Sequence, residues 1–121
     1  EIDLALLKVE GTNLPYLWLG PKTTFELAEH IYFIGNPWNF NGIANEGEIL
    51  GYRYSMDLKR DVIMLDAPIY KGNSGSPVIN MDGEVIGVIY ATMNTDEHGK
   101  VGLAIPISYF LEKEESLLIL E

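Results

Sequence analysis

The 121-residue sequence predicts an all-β domain, a six-stranded antiparallel barrel followed by one helix. Three observations predict it. Six runs rich in β-branched and aromatic residues lie between His30 and Ile105, with short connections. Met81-Asp82-Gly83 separates two of these runs and is a strong hairpin signal. After Pro106 the apolar spacing changes to a helical rhythm.

The elements follow in order. Ile2 to Val9 is apolar with β-formers at both ends and is closed by Glu10-Gly11, so it reads as a strand outside the six. Residues 10–29 connect it to the rest, broken by Pro15, Gly20 and Pro21. Leu14, Leu17, Trp18 and Leu19 in that connection are expected to pack against something. His30 to Ile34 is a strand stopped by Gly35-Asn36-Pro37. Ile43 to Tyr54 is longer, and Gly47 and Gly51 within it suggest bulges or bends. Val62 to Leu65, Pro77 to Asn80, Glu84 to Met93 and Val101 to Ile105 complete the six. Ser108 is a reasonable N-cap for the last element. Ile107, Phe110, Leu111, Leu117 and Leu118 give that helix an apolar side.

Composition narrows the function classes. The length suits one domain with a real core, and 47% hydrophobic residues argue against disorder. A net charge of −10, with eight scattered basic residues, disfavours nucleic acid as a partner. No apolar run reaches the ~18 residues of a membrane span. The absence of cysteine excludes disulfides and thiolate metal sites, and no Asp/Glu spacing matches a calcium loop. No metal or cofactor is expected.

The segment Lys71-Gly72-Asn73-Ser74-Gly75-Ser76-Pro77 carries chemistry or is merely a Gly-Ser loop. A serine hydroxyl becomes a nucleophile when a base takes its proton and donors receive the developing negative charge. Flanking glycines allow backbone N–H groups to turn inward as such donors. An α/β-hydrolase elbow is excluded, because position 76 is Ser and Ser74 leads into a strand, not a helix.

Two motifs in this order resemble the chymotrypsin-fold (trypsin-like) serine proteases, and most closely their bacterial Deg/HtrA branch. They are Asp3-Leu4-Ala5-Leu6-Leu7-Lys8-Val9 and Gly72-Asn73-Ser74-Gly75-Ser76-Pro77. Three weaker stretches fall in family order: Ile34-Gly35-Asn36-Pro37, Asp82-Gly83-Glu84-Val85-Ile86-Gly87 and Gly102-Leu103-Ala104-Ile105-Pro106-Ile107. The resemblance implies a Greek-key second barrel over residues 30–107 and a C-terminal helix over 108–121. Residues 1–9 would be the last strand of a first barrel mostly outside this sequence, with 10–29 as the inter-barrel linker.

Carried over residue by residue, the resemblance makes Ser74 the nucleophile and Asp3 the residue that orients the catalytic histidine. The N–H groups of Gly72 and Ser74 would form the oxyanion hole. Ile69, Tyr70, Lys71, Tyr90, Ala91, Thr92 and Leu103 would contact substrate. Pro68 stands where trypsin-like members carry an acid, so a small or medium apolar residue before the cut is expected rather than Lys or Arg. Asn73 stands where zymogen-activated members carry an aspartate, and it cannot pair with a new N-terminus. Ser76 departs from the more common second glycine; some bacterial branches, glutamyl endopeptidases among them, also have serine there.

The family's histidine lies upstream of the aspartate, and neither His30 nor His98 matches it. The expected activity is therefore peptide-bond hydrolysis by a longer protein, with this chain nearly inert alone. The alternative is a non-catalytic relative that kept the barrel as a binding module. Peptide or protein substrates are the expected partners, with self-association through an exposed inter-barrel face. The resemblance favours an extracytoplasmic bacterial location.

Overall fold

The computed structural model describes residues 2–20, 25–35, 42–67, 69 and 73–120, with all their side chains except those of residues 43 and 114–120. Six strands form a closed barrel: β1 (His30–Gly35), β2 (Ile43–Ser55), β3 (Arg60–Asp66), β4 (Pro77–Ile79), β5 (Val85–Thr95) and β6 (Gly99–Pro106). Their order around the barrel is β1-β2-β3-β6-β5-β4, and every neighbouring pair is antiparallel. The six expected strands are all present, with ends that shift by a few residues. The closing ladder, β1 on β4, has two residue pairs among the described residues, Tyr32 with Ile79 and Phe33 with Val78.

Strand alternation builds the core. Ile31 and Phe33 point inward from β1 and are fully buried, while Tyr32 and Ile34 between them remain exposed. Ile49, Ile63, Leu65, Val78, Ile86, Ile89 and Ala104 meet them inside the barrel. Removing that much apolar surface from water is the main stabilising term. The Met81-Asp82-Gly83 turn folds as expected. The Asn80 carboxamide oxygen accepts from the N–H groups of Asp82 and Glu84, at 3.0 and 2.9 Å, and Gly83 takes φ +78°.

The two glycines of β2 behave differently. Gly51 marks a register shift after Ile49 and has φ +142°, which fits the expected bulge. Residues 25–29 latch onto this irregularity: Ala28 N–H donates to the Ile49 carbonyl, and Ile49 N–H to that of Glu29. Gly47 pairs regularly with Ile31, and its distinction is close approach. A Cβ added there would lie 2.2 Å from the Asp66 carbonyl oxygen.

The N-terminal segment differs from expectation. Residues 2–10 join no strand ladder, and Leu6, Leu7 and Val9 are largely exposed. A strand needs a neighbour for its backbone groups, and without one its N–H and C=O groups are better hydrated. Leu14, Leu17 and Trp18 also stay at least half exposed rather than packed. Besides residues 25–29, the connection is anchored at residues 18–20. Val85 N–H donates to the Trp18 carbonyl and Gly20 N–H to the Val85 carbonyl, both at 2.8 Å.

Helix α1 runs from Ile107 to Leu120 and packs on β5 and β6. Ser108 lies inside its first turn and is buried, so it is not the N-cap. β6 passes directly into the helix at Pro106, and burial of Ile107 fixes the start where a polar cap was expected. On its outer side the helix is clasped by Arg60. The guanidinium donates to both Glu112 carboxylate oxygens, at 3.0 and 3.3 Å, and lies 3.5 Å from the centre of the Tyr109 ring. The bond to Glu112 is the main reason that the Arg60 pKa is raised. The Tyr109 hydroxyl donates to the Asp61 carbonyl. Because Arg60 and Glu112 are both partly solvated, Arg60→Ala is expected to cost only about 1 kcal/mol. A thermal melt should show a drop of a few degrees without loss of the barrel signal.

Candidate active site

Ser74 stands at the entrance of β4, in a turn whose next residue, Gly75, has φ +91°. The turn closes on itself, with Ser76 N–H donating to the Asn73 carbonyl at 3.0 Å. It is also bound to β5 by a reciprocal pair. Gly75 N–H donates to the Ile89 carbonyl at 2.7 Å, and Ile89 N–H to the Ser76 carbonyl at 3.0 Å. Ser74 is left exposed between these fixed residues. Its hydroxyl lies 3.5 Å from the Tyr90 carbonyl, a long and weak contact that leaves it available. The Ser74 N–H has no acceptor among the described residues.

Beneath the turn, Asn73 is fully buried, and neither polar atom of its carboxamide has a hydrogen-bond partner among the described residues. Orphan groups of this kind normally cost about 1–3 kcal/mol each and are rare. The carboxamide rests on the bare Cα of Gly35. A Cβ there would lie 2.2 Å from Asn73 Oδ1 and 2.7 Å from Ser76 Oγ. The sequence presents Gly35 only as a strand stop, and its part in seating the turn is not legible there. Its place in the Ile34-Gly35-Asn36-Pro37 motif is the one available signal.

The expected substrate residues divide into groups. Ile69 is 6% exposed and joins the barrel core, lying so close to Gly102 that a Cβ on that glycine would meet Ile69 Cδ1 at 1.9 Å. Gly102 and Ala104 therefore face Ile69, and by alternation Leu103 between them faces the other way. Leu103 pairs in register with Met64 and Ala91. The β5–β6 register shifts between Ile89 and Ala91, which places a bulge at Tyr90. Tyr90 and Ala91 are half-buried and Thr92 is exposed. The readings for Pro68, Tyr70, Lys71 and Gly72 lie outside the described residues.

Asp3 is exposed and lines a shallow cleft with Ile2, Asp57 and Leu58, beside the β2–β3 turn. Among the described residues no hydrogen bond or ion pair joins it to Ser74 or to a histidine. His30 faces Glu46 at 3.2 Å and stacks edge-on against Tyr32, on the outside of the barrel. His98 lies 3.7 Å from Glu97 at the β5–β6 turn. Neither imidazole has a contact with Ser74. No group of three His, Cys, Asp or Glu side chains suited to a metal ion occurs among the described residues.

Residues 1–88 match the trypsin-like peptidase domain. A probable periplasmic serine endoprotease, DegP-like, of Pseudomonas putida strain GB-1 is 38% identical over 119 residues, covering 95% of this chain and 25% of the relative. The relative of that description in Halomonas elongata is 37% identical over 123 residues, covering 97% of this chain and 25% of its own. The chain thus spans about a quarter of the length of the curated relatives it matches. Among solved structures, the HtrA-type protease AlgW with decapeptide superposes with a TM-score of 0.75 at 30% identity, covering 90% of this chain and 35% of that one. The serine endoprotease from Yersinia pestis gives a TM-score of 0.71 at 29% identity, covering 91% and 38%.

Proposed function

Because this chain belongs to the trypsin-like peptidase family, in its Deg/HtrA branch, we propose that it carries the second barrel and the nucleophile of a serine endopeptidase. The observation that carries the reading is an exposed Ser74 on a turn fixed to β5 by Gly75, Ser76 and Ile89. Ser74 Oγ attacks the scissile carbonyl, and its proton passes to a histidine supplied from outside this sequence. That histidine protonates the leaving amine, and water then releases the acyl group by the same path. Asp3 orients the histidine, and the N–H groups of Gly72 and Ser74 hold the oxyanion.

The substrate side is built from Ile69, Tyr70 and Lys71, from Tyr90, Ala91 and Thr92 of β5, and from Leu103. Pro68, where trypsin-like members carry an acid, offers a basic side chain no counter-charge, which favours a small or medium apolar residue before the cut. Residues 1–9 act as the last strand of a first barrel. Their exposed Leu6, Leu7 and Val9 pair there, and they drive self-association when that barrel is absent. The relatives are named as periplasmic proteases, which supports an extracytoplasmic location.

A second reading, a protease-like binding module, is favoured by one observation: both histidines of this sequence are engaged away from Ser74. Fluorophosphonate labelling of the longer protein separates the two. Modification mapped to Ser74, and abolished by Ser74→Ala, is expected for the enzyme, whereas an unreactive Ser74 selects the binding module. The 121-residue chain alone should hydrolyse no peptide above background, since loss of the histidine costs on the order of 10⁶ in turnover. Turnover by this chain that Ser74→Ala removes would contradict the need for an outside histidine.

A further inference from the structure

Asn73, Ser74, Gly75 and Ser76 form one β-turn. Its closing bond runs from the Ser76 N–H to the Asn73 carbonyl, and its third residue, Gly75, has φ +91°. Ser74 is thus the second residue of a loop clamped at its base by one main-chain bond. The side chains of the two base residues are both buried, Asn73 fully and Ser76 with 6% exposed. They converge on the bare Cα of Gly35. The place that a Cβ would take there lies 2.2 Å from Asn73 Oδ1 and 2.7 Å from Ser76 Oγ. Even so, Asn73 Oδ1 has no hydrogen-bond partner among the described residues. The Ser76 main chain is held on both sides, its N–H by Asn73 and its carbonyl by Ile89. What stays adjustable is its side-chain torsion, and a hydroxyl can turn to serve a buried acceptor beside it.

We propose that Ser76 is a positioning residue: its hydroxyl donates to Asn73 Oδ1 in the reactive turn, and this second clamp holds Ser74 in place. The inference rests on the serine endopeptidase reading and deepens it, by adding a residue that acts on Ser74 from beneath the turn. The bond joins residue 73 to residue 76 in parallel with the main-chain bond between them. It removes freedom from the two residues it spans, Ser74 and Gly75. It also satisfies an acceptor that is otherwise buried and unpaired, a state that proteins rarely keep. Neither alanine nor glycine at position 76 can form it, since both lack the hydroxyl.

The test is the kinetics of fluorophosphonate labelling of Ser74 in the longer protein, resolved into probe affinity and the rate constant of reaction. Ser76→Ala should slow the reaction about tenfold, the effect of one hydrogen bond lost beneath Ser74, and leave probe affinity unchanged. Ser76→Gly, a second variant without the hydroxyl, should slow it at least as much. In an Asn73→Ala background Ser76→Ala should have no further effect, because the acceptor is already gone. A role in packing alone would slow the reaction equally in both backgrounds. That result, or variants that react as fast as the parent protein, would overturn the inference and leave the protease reading standing. A parent protein whose Ser74 does not react would overturn both.

Discussion

Gly35→Ala is expected to unseat Ser74 and the turn that holds it. The new methyl would lie 2.2 Å from Asn73 Oδ1 and 2.7 Å from Ser76 Oγ, distances that force one side to move. Gly35 is buried within β1, whose neighbours Ile31 and Phe33 anchor the core, so the strand yields less readily than the turn. Displacing the turn strains the pair of bonds that tie Gly75 and Ser76 to Ile89. An ångström of misplacement at a reacting group costs roughly 10² in rate. In the longer protein, fluorophosphonate labelling of Ser74 should slow by about that factor. Overpacking should also cost about 1–3 kcal/mol in denaturant unfolding. Asn73→Ala in the Gly35→Ala background removes the clashing carboxamide and should recover stability, a coupling that a double-mutant cycle reads directly. Unchanged labelling in the single variant would show that the turn does not depend on Gly35.

Gly47→Ala acts at the far side of β1 from the Ser74 turn, where β2 passes the exit of β3. Its methyl would meet the Asp66 carbonyl oxygen at 2.2 Å, the Ala67 Cβ at 2.6 Å and the Ala67 Cα at 3.0 Å. Two of these three are backbone atoms that no rotamer change can remove. The exit of β3 must shift, and with it the register of Glu48 against Asp66. Movement of β2 the other way is blocked too, because Gly47 pairs with the fully buried Ile31. A loss of about 3 kcal/mol is expected, at the upper end for an added methyl, since little nearby can give way. Urea unfolding of the chain measures it, and a loss below experimental error would mean that Asp66 and Ala67 are free to move.

The strands were legible because local chemistry and burial agree in them. The alternation of Ile31 and Phe33 with Tyr32 and Ile34 is visible in the letters and reappears as inside and outside. The turn at Asp82-Gly83 needed only its own residues and Asn80. The motif around Ser74 stands out in the letters, whereas the packing that seats its turn does not. Gly35 and Asn73 are far apart in sequence, and nothing near either announces that one must be bare for the other to fit. Ile2–Val9 has the letters of a strand, but a strand is a relation between segments, and no ladder in this chain includes it. Leu103 and Ile69 were grouped by the family resemblance, whereas pleat alternation sets Leu103 on the face opposite Gly102, which Ile69 touches. Ser108 had the chemistry of a cap, but burial of its apolar neighbour Ile107 governed where the helix begins.

The two-pair ladder between β1 and β4 has a consequence for how the barrel assembles. Hairpins β2–β3 and β5–β6 close over few residues and form many pairs, so they are entropically cheap early structures. The β1–β4 seam joins Phe33 to Val78 across much of the chain for very little reward. It therefore forms last and opens first, and β4 is the strand into which Ser74 feeds. Until that last step Ser74 hangs from an unclosed sheet, so the final geometry of its turn is set only when the barrel closes.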